Sequence, residues 1–227
     1  RDKYQYIFHN SLILNVDENL VYLGASGIIL SIISFVNFML VYFYERKKII
    51  YTIYDIVEMA MLVSIAVVLD TFVKIPLGAT GGSINVAMVP LIVLALRHDA
   101  SKTFVATGLI YGLATCLTDG YGLIYLPFDY VLGFGSVAFV SLFRHLIIND
   151  KKINILSFIY LLISLIGVFV LRTLASTISS MVYYGYSFIE GVIYNVTYIG
   201  PSLAACFILL VILIKPLSII FKRQHRI

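Results

Sequence analysis

Apolar residues fill this chain in long unbroken stretches, separated by short polar breaks. A run near 20 residues suffices to cross a bilayer core about 30 Å thick as a helix rising about 1.5 Å per residue. The pattern predicts spans at 19–44, 53–73, 83–97, 103–118, 125–144, 153–184 and 188–215. The expected fold is an all-α integral membrane protein: a six-helix core preceded by one additional N-terminal transmembrane helix. The 83–97 stretch is short for a span and follows Gly78-Ala79-Thr80-Gly81-Gly82, so tilting or partial unwinding is expected there. The 153–184 stretch is longer than a bilayer needs and has to tilt or project. Pro127 and Pro201 fall inside apolar helices, where a missing backbone bond has to be covered by protein or a cavity.

The basic residues sort onto alternate breaks. Arg46, Lys47 and Lys48 close the first span, Arg97 and Lys102 separate the third from the fourth, Arg144, Lys151 and Lys152 come two spans later, and Lys215, Lys222, Arg223 and Arg226 end the chain. One assignment puts them all in the cytoplasm, with the N-terminus outside and the C-terminus inside the cell membrane. A composition that is 61% hydrophobic and 12% charged, with mean hydropathy +0.99, excludes an ordinary soluble domain. The net charge of +4 is no nucleic-acid signal, because the bases sit in short loops. Trp is absent, so the 17 tyrosines have to build any aromatic belt. Cys116 and Cys206 lie inside apolar helices and read as small core hydrophobes. The first span is too long, and lacks the cleavage pattern, for a signal peptide.

The remaining membrane charges carry the chemistry. Asp70, Asp129, Arg172 and Glu190 lie in the helix halves that face away from the basic loops. Charge in hydrocarbon is costly and usually faces a cavity or a partner, so a pocket open to the outer side is expected. Arg172, Ser176, Ser180 and Tyr184 recur every four residues and form one drifting stripe, with Arg172 about 18 Å deeper than Tyr184. They read as a pocket wall or as small-residue packing, with Arg172 needing an anionic partner or water. Asp129-Tyr130 reads as a carboxylate and ring for a cationic ligand, or as the structural partner of Arg172. Glu190 is solvated or part of the pocket; Asn195, deeper, is a binding or packing residue. Asp70 and Lys74 read as a surface pair four apart, and Asp55 and Glu58 as acidic residues suited to a helix N-terminus. Ala60 and Ser64 make a small-xxx-small step that lets another helix approach, inside or outside the fold. His9, His98, His145 and His225 fall in expected tails or loops without metal spacing. The chain shows no metal motif and no catalytic set, so it is not read as an enzyme. It has no P-loop to energise transport by itself and no visible inverted repeat.

Three stretches carry a family resemblance: Gly81-Gly82-Ser83-Ile-Asn85-Val-Ala-Met88 with its continuation to Arg97, Asp129-Tyr130-Val-Leu-Gly133-Phe134-Gly135, and Arg172 to Gly185 followed by Tyr194-Asn195-Val-Thr-Tyr198-Ile-Gly-Pro201. Over about two thirds of its length the chain resembles the thiamine-specific substrate-binding subunit (S component) of energy-coupling factor vitamin transporters. The resemblance implies an S-component-like six-helix core, an outward-open vitamin pocket, and docking through small residues of the first core helix onto a transmembrane coupling subunit with two ATPase subunits. It implies vitamin contacts for Asp129 and Tyr130, a pocket role for Asn195, and docking for Ala60 and Ser64. Ser176 stands where the family has His, Ser180 where it has Gly, Tyr184 where it has Trp, and Glu190 where an aromatic is expected.

The resulting expectation is a non-enzymatic subunit that takes thiamine or a related vitamin or precursor from outside, without a cofactor or metal. Its alternatives are an autonomous ion-coupled carrier and a ligand-free membrane scaffold. Substrate binding is expected at Asp129, Tyr130, Ser176, Ser180, Tyr184, Glu190 and Asn195, with Arg172 structural or in a secondary pocket. The expected organisation is an extracytoplasmic segment at 1–18, a transmembrane helix and basic loop at 19–50, a substrate-binding membrane domain at 51–218 and a basic cytoplasmic tail at 219–227.

Overall fold

The computed structural model describes residues 50–77, 82–120, 122–148 and 153–224, with side chains through residue 217. The additional helix at 19–44, its basic loop, Lys151, Lys152 and the last three residues lie outside the described residues. Six helices run through the described part: α1 (Ile53–Phe72), α2 (Met88–Arg97), α3 (Ala100–Asp119), α4 (Leu123–Ile147), α5 (Ile155–Tyr184) and α6 (Phe188–Gln224). Between α1 and α2 an antiparallel ribbon pairs β1 (Lys74–Pro76) with β2 (Ser83–Asn85), Lys74 opposite Asn85 and Pro76 opposite Ser83.

By length and apolar composition, α3, α4, α5 and α6 can each cross a membrane. The expected 83–97 span resolves differently. Ser83–Asn85 is a strand, and the 10 residues of α2 rise only about 15 Å, half a bilayer core. Every residue from Met88 to Leu96 is buried, so α2 is the central peg of the bundle. The helix α1 buries only one stripe: Met59, Val63, Ala66 and Asp70. That spacing of four, three and four is one face of a helix. The 30 residues of α5 rise about 45 Å, more than a bilayer core requires. Pro127 falls in the first turn of its helical segment, where a missing N–H costs little, whereas Pro201 is inside α6.

Charged groups close the end of the bundle remote from the ribbon. Thr52 and Asp55 form a reciprocal cap at the start of α1, and Asp55 also takes Lys102 Nζ at 2.7 Å. Glu58 pairs with Arg97, and Asp99 with Arg144. His98 falls in the bend between α2 and α3, as expected, and is buried there, with Asp55 and Glu58 oxygens 3.6 and 3.5 Å from its ring nitrogens. His145 lies in the last turn of α4 rather than in a loop.

The approach of α3 to α4 sets the position of the other end. Both helices widen into i→i+5 turns, Val105–Tyr111 in the middle of α3 and Leu126–Leu132 near the start of α4. A Cβ on Gly108 would lie 2.8 Å from the Val131 carbonyl oxygen, and one on Gly112 would lie 3.1 Å from the Tyr130 carbonyl group. The two glycines, four apart on one helix face, let the α4 backbone settle against α3. Gly108→Ala should therefore lower stability by about 1–3 kcal/mol, because a backbone carbonyl cannot rotate aside. Gly200→Ala, whose Cβ would meet Phe169 at an ordinary 3.8 Å, is the control and should be neutral. Thermal unfolding of both variants in detergent checks this, and equal midpoints would dismiss the tight contact.

Candidate functional site

A cavity of about 190 Å³ occupies the ribbon end of the bundle. Its walls come from the end of α1, the ribbon, the end of α3, the start of α4, the second half of α5 and the start of α6. The wide turn of α4 delivers Asp129 and Tyr130, and α5 delivers Arg172, Ser176, Ser180 and Tyr184 along the predicted stripe. Asn195 arrives from α6. Seven of the sequence-selected residues thus share one wall system. Glu190 does not join them. It is exposed and caps α6: its carboxylate accepts from Ser187 N–H at 2.8 Å while Ser187 Oγ accepts from Glu190 N–H. Ser187-x-x-Glu190 is a legible capping box, and that local role accounts for its place.

Burial changes the reading of Asp70 and Lys74. Asp70 is 6% exposed and accepts a hydrogen bond from Asn85 Nδ2 at 2.5 Å, while Lys74 Nζ reaches Asp119 at 3.2 Å. Both line the cavity, so they are not the surface pair their spacing suggested. Helical spacing alone could not foresee that the ribbon folds back and brings Asn85 onto Asp70. Asn85 also donates its N–H to Ser202 Oγ, tying the ribbon to α6. Gly82 permits this closure: its φ is +82°, and a Cβ there would lie 2.9 Å from the Tyr198 ring.

The polar groups around Asn195 spend their protons on one another. Tyr198 OH donates to Asn195 Oδ1 at 2.6 Å. Asn195 Nδ2 donates to Ser180 Oγ at 3.1 Å and to the Gly191 carbonyl at 2.8 Å. Ser180 in turn donates to the Ser176 carbonyl at 2.9 Å. An amide has two donors and a hydroxyl one, so what Tyr198, Asn195 and Ser180 retain is acceptor capacity. Across the cavity, Asp129 accepts from Ser179, a residue off the four-residue stripe. Tyr130 OH donates to Asp119 at 3.1 Å. This wall favours a ligand that brings donors or positive charge.

Arg172 is the exception. It makes no ion pair with Asp129. Its Nη1 donates to Met88 Sδ at 2.8 Å, its guanidinium sits 4.4 Å from the Phe134 ring centroid, and its buried Nε has no hydrogen-bond partner. The expected carboxylate partner is replaced by a sulfur and an aromatic face, both weaker acceptors. Counting formal charges on the walls, Asp70, Asp119 and Asp129 face Lys74 and Arg172, an excess of one carboxylate. Tyr125, Tyr194, Tyr198 and Phe134 supply ring faces that the stripe argument did not select, although all but Tyr125 fall in the stretches quoted for the resemblance. Among the described residues, no group of three or more His, Cys, Asp or Glu side chains is arranged to hold a metal ion.

Comparison with known proteins places the chain in a family. The thiamine transporter protein family (Thia_YuaJ) matches residues 56–222. The thiamine transporter ThiT of Bacillus subtilis (strain 168) is 29% identical over 181 residues, covering 70% of this chain and 88% of that protein. In fold, the chain is similar to ThiT from Listeria monocytogenes, with a TM-score of 0.57 and 22% identity over 76% of this chain and 96% of that one. It is also similar to the structure of an S component of a bacterial ECF transporter, with a TM-score of 0.56 and 20% identity over 74% of this chain and 98% of that one.

Proposed function

This chain belongs to the thiamine transporter protein family, and from that premise we propose that it is the thiamine-capturing S component of an ECF transporter. It is a transport protein, not an enzyme. The observation that carries the reading is the Asp129 carboxylate on a cavity walled by tyrosine rings and bearing one more carboxylate than cations. Thiamine joins a cationic thiazolium to an aminopyrimidine. A part-buried carboxylate and ring faces attract the first, and the acceptors around Asn195 suit the amino group of the second. In this reading Tyr130, Tyr184, Ser176, Ser180 and Asn195 line the bound vitamin. Arg172 offers its free N–H to an acceptor on the ligand, and Glu190 stays outside.

Energy comes from a transmembrane coupling subunit and two ATPases, since the sequence has no P-loop of its own. Ala60 and Ser64 lie exposed on α1, on the face away from its buried stripe. Ser64 Oγ folds back to donate to the Ala60 carbonyl at 2.7 Å, leaving a smooth, small-residue surface that suits a second helix. Arg97, Lys102 and Arg144 gather at the end opposite the cavity, which orients the cavity outward by the positive-inside rule.

Asp129→Asn should weaken thiamine binding roughly ten- to hundredfold, the worth of a charge-assisted contact, while changing affinity for the neutral aminopyrimidine moiety far less. Equilibrium binding to the purified chain measures both, and equal losses would reduce Asp129 to a structural residue. Ala60→Trp should abolish uptake in cells that contain the coupling module and leave binding by the purified chain unchanged; lost binding would put that face inside the fold. An impermeant thiol reagent on intact cells should label Lys74→Cys and spare His145→Cys. The reverse pattern would invert the proposed orientation.

A further inference from the structure

Six tyrosine rings step from the link between α5 and α6 into the cavity. Tyr186, in that link, has its ring centroid 5.9 Å from Tyr184 and 5.8 Å from Tyr194. Tyr194 lies 5.8 Å from Tyr198, and Tyr184 lies 5.8 Å from Tyr125. Tyr125 is braced at 4.6 Å by Tyr183, whose hydroxyl donates to the Ile124 carbonyl at 2.6 Å. All these separations fall in the range of favourable aromatic contact. Tyr125, Tyr184, Tyr194 and Tyr198 line the cavity; Tyr186 does not.

The link that carries Tyr186 is held in place. Gly185 turns in the left-handed region at φ 69°, the Tyr186 N–H reaches the Ser180 carbonyl at 3.4 Å, and the Ser187–Glu190 cap follows at once. The ring is therefore a preset surface at the cavity mouth. It is half-buried, and Tyr184 beside it is 45% exposed, so faces of the stair are open to an arriving molecule. A ring cannot slip between Tyr125 and Tyr184. Their planes are only 21° apart at 5.8 Å, while a sandwiched third ring needs about 7 Å, two carbon contacts of about 3.5 Å each. An entering ring meets the stair on its outer faces.

We propose that Tyr186 is an encounter platform: it takes the planar cationic ring of the ligand at the mouth and passes it to Tyr184 and Tyr194 on the way to Asp129. The proposal rests on the thiamine reading above. It assigns Tyr186 to the path and not to the final site, and kinetics separate the two. A residue touched only in passage lowers the barrier in both directions, so its loss slows association and dissociation equally and leaves Kd unchanged. A residue of the final site instead speeds dissociation and weakens Kd.

The test is rapid mixing of thiamine with the purified full chain, followed by its tyrosine fluorescence, which no Trp obscures. Tyr186→Leu keeps an apolar side chain in the link but removes the ring. It should slow association and dissociation by the same roughly two- to fivefold factor, the worth of one exposed cation–ring contact, with Kd unchanged. Tyr186→Phe keeps the ring and should behave as the unmutated chain. Unchanged rates in Tyr186→Leu, a Kd weakened through faster dissociation, or a Tyr186→Phe variant as slow as Tyr186→Leu would each overturn the platform. Absence of thiamine binding by the unmutated chain would overturn the thiamine reading and the platform with it, whereas binding with unaltered variant rates overturns the platform alone.

Discussion

The site depends on how closely two backbones approach. Gly108 and Gly112 let the wide turn of α4 rest directly on α3, at Tyr130 and Val131. A side chain at either glycine would push α4 outward, and Asp129 and Tyr130 would move with it. In hydrocarbon no hydrophobic force presses helices together, so van der Waals contact between small residues carries such a crossing. The turns of both helices widen at this crossing. Wide turns of this kind recur at functional sites, because the displaced backbone re-aims a side chain. Here the re-aimed side chain is the Asp129 carboxylate.

The two ends of the bundle handle charge differently. At the end remote from the ribbon, Asp55, Glu58 and Asp99 each meet Lys102, Arg97 or Arg144. At the cavity end, pairing is incomplete. Asp129 has a serine, Asp70 an asparagine, and Arg172 a methionine sulfur and a ring. Neutral partners satisfy geometry without cancelling charge. A cavity of this kind keeps a field that a charged ligand can use, whereas the paired end serves to fix helix ends.

Hydrogen-bond direction refines the same point. The chain of donors from Tyr198 through Asn195 and Ser180 to the Ser176 carbonyl uses up the protons of those three side chains. The residues were visible in the sequence, yet Ser180 offers a ligand an acceptor and not the hydroxyl donor that serine suggests. The ribbon adds a second dependence. Asn85 grips both α1, through Asp70, and α6, through Ser202, so the cavity wall is closed across elements far apart in the chain.

What the sequence determined is what local physics controls. Long apolar runs dictate helices, and the four-residue stripe of α5 puts Arg172, Ser176, Ser180 and Tyr184 on one wall. The Ser187-x-x-Glu190 cap and the Gly-x-x-x-Gly step at 108–112 are also written in the sequence, within one turn or on one helix face, but a reading of hydropathy passes over both. Tertiary structure alone decided the rest. It turned 83–97 into a strand and a buried peg, because Met88–Leu96 are enclosed by the other helices while Ser83–Asn85 pair with Lys74–Pro76. It buried Asp70 beside Asn85, sent Lys74 to Asp119, and gave Asp129 to Ser179 instead of Arg172. Those choices join residues distant in sequence, and helical periodicity fixes the direction of a side chain on its own helix but not which neighbour it will meet.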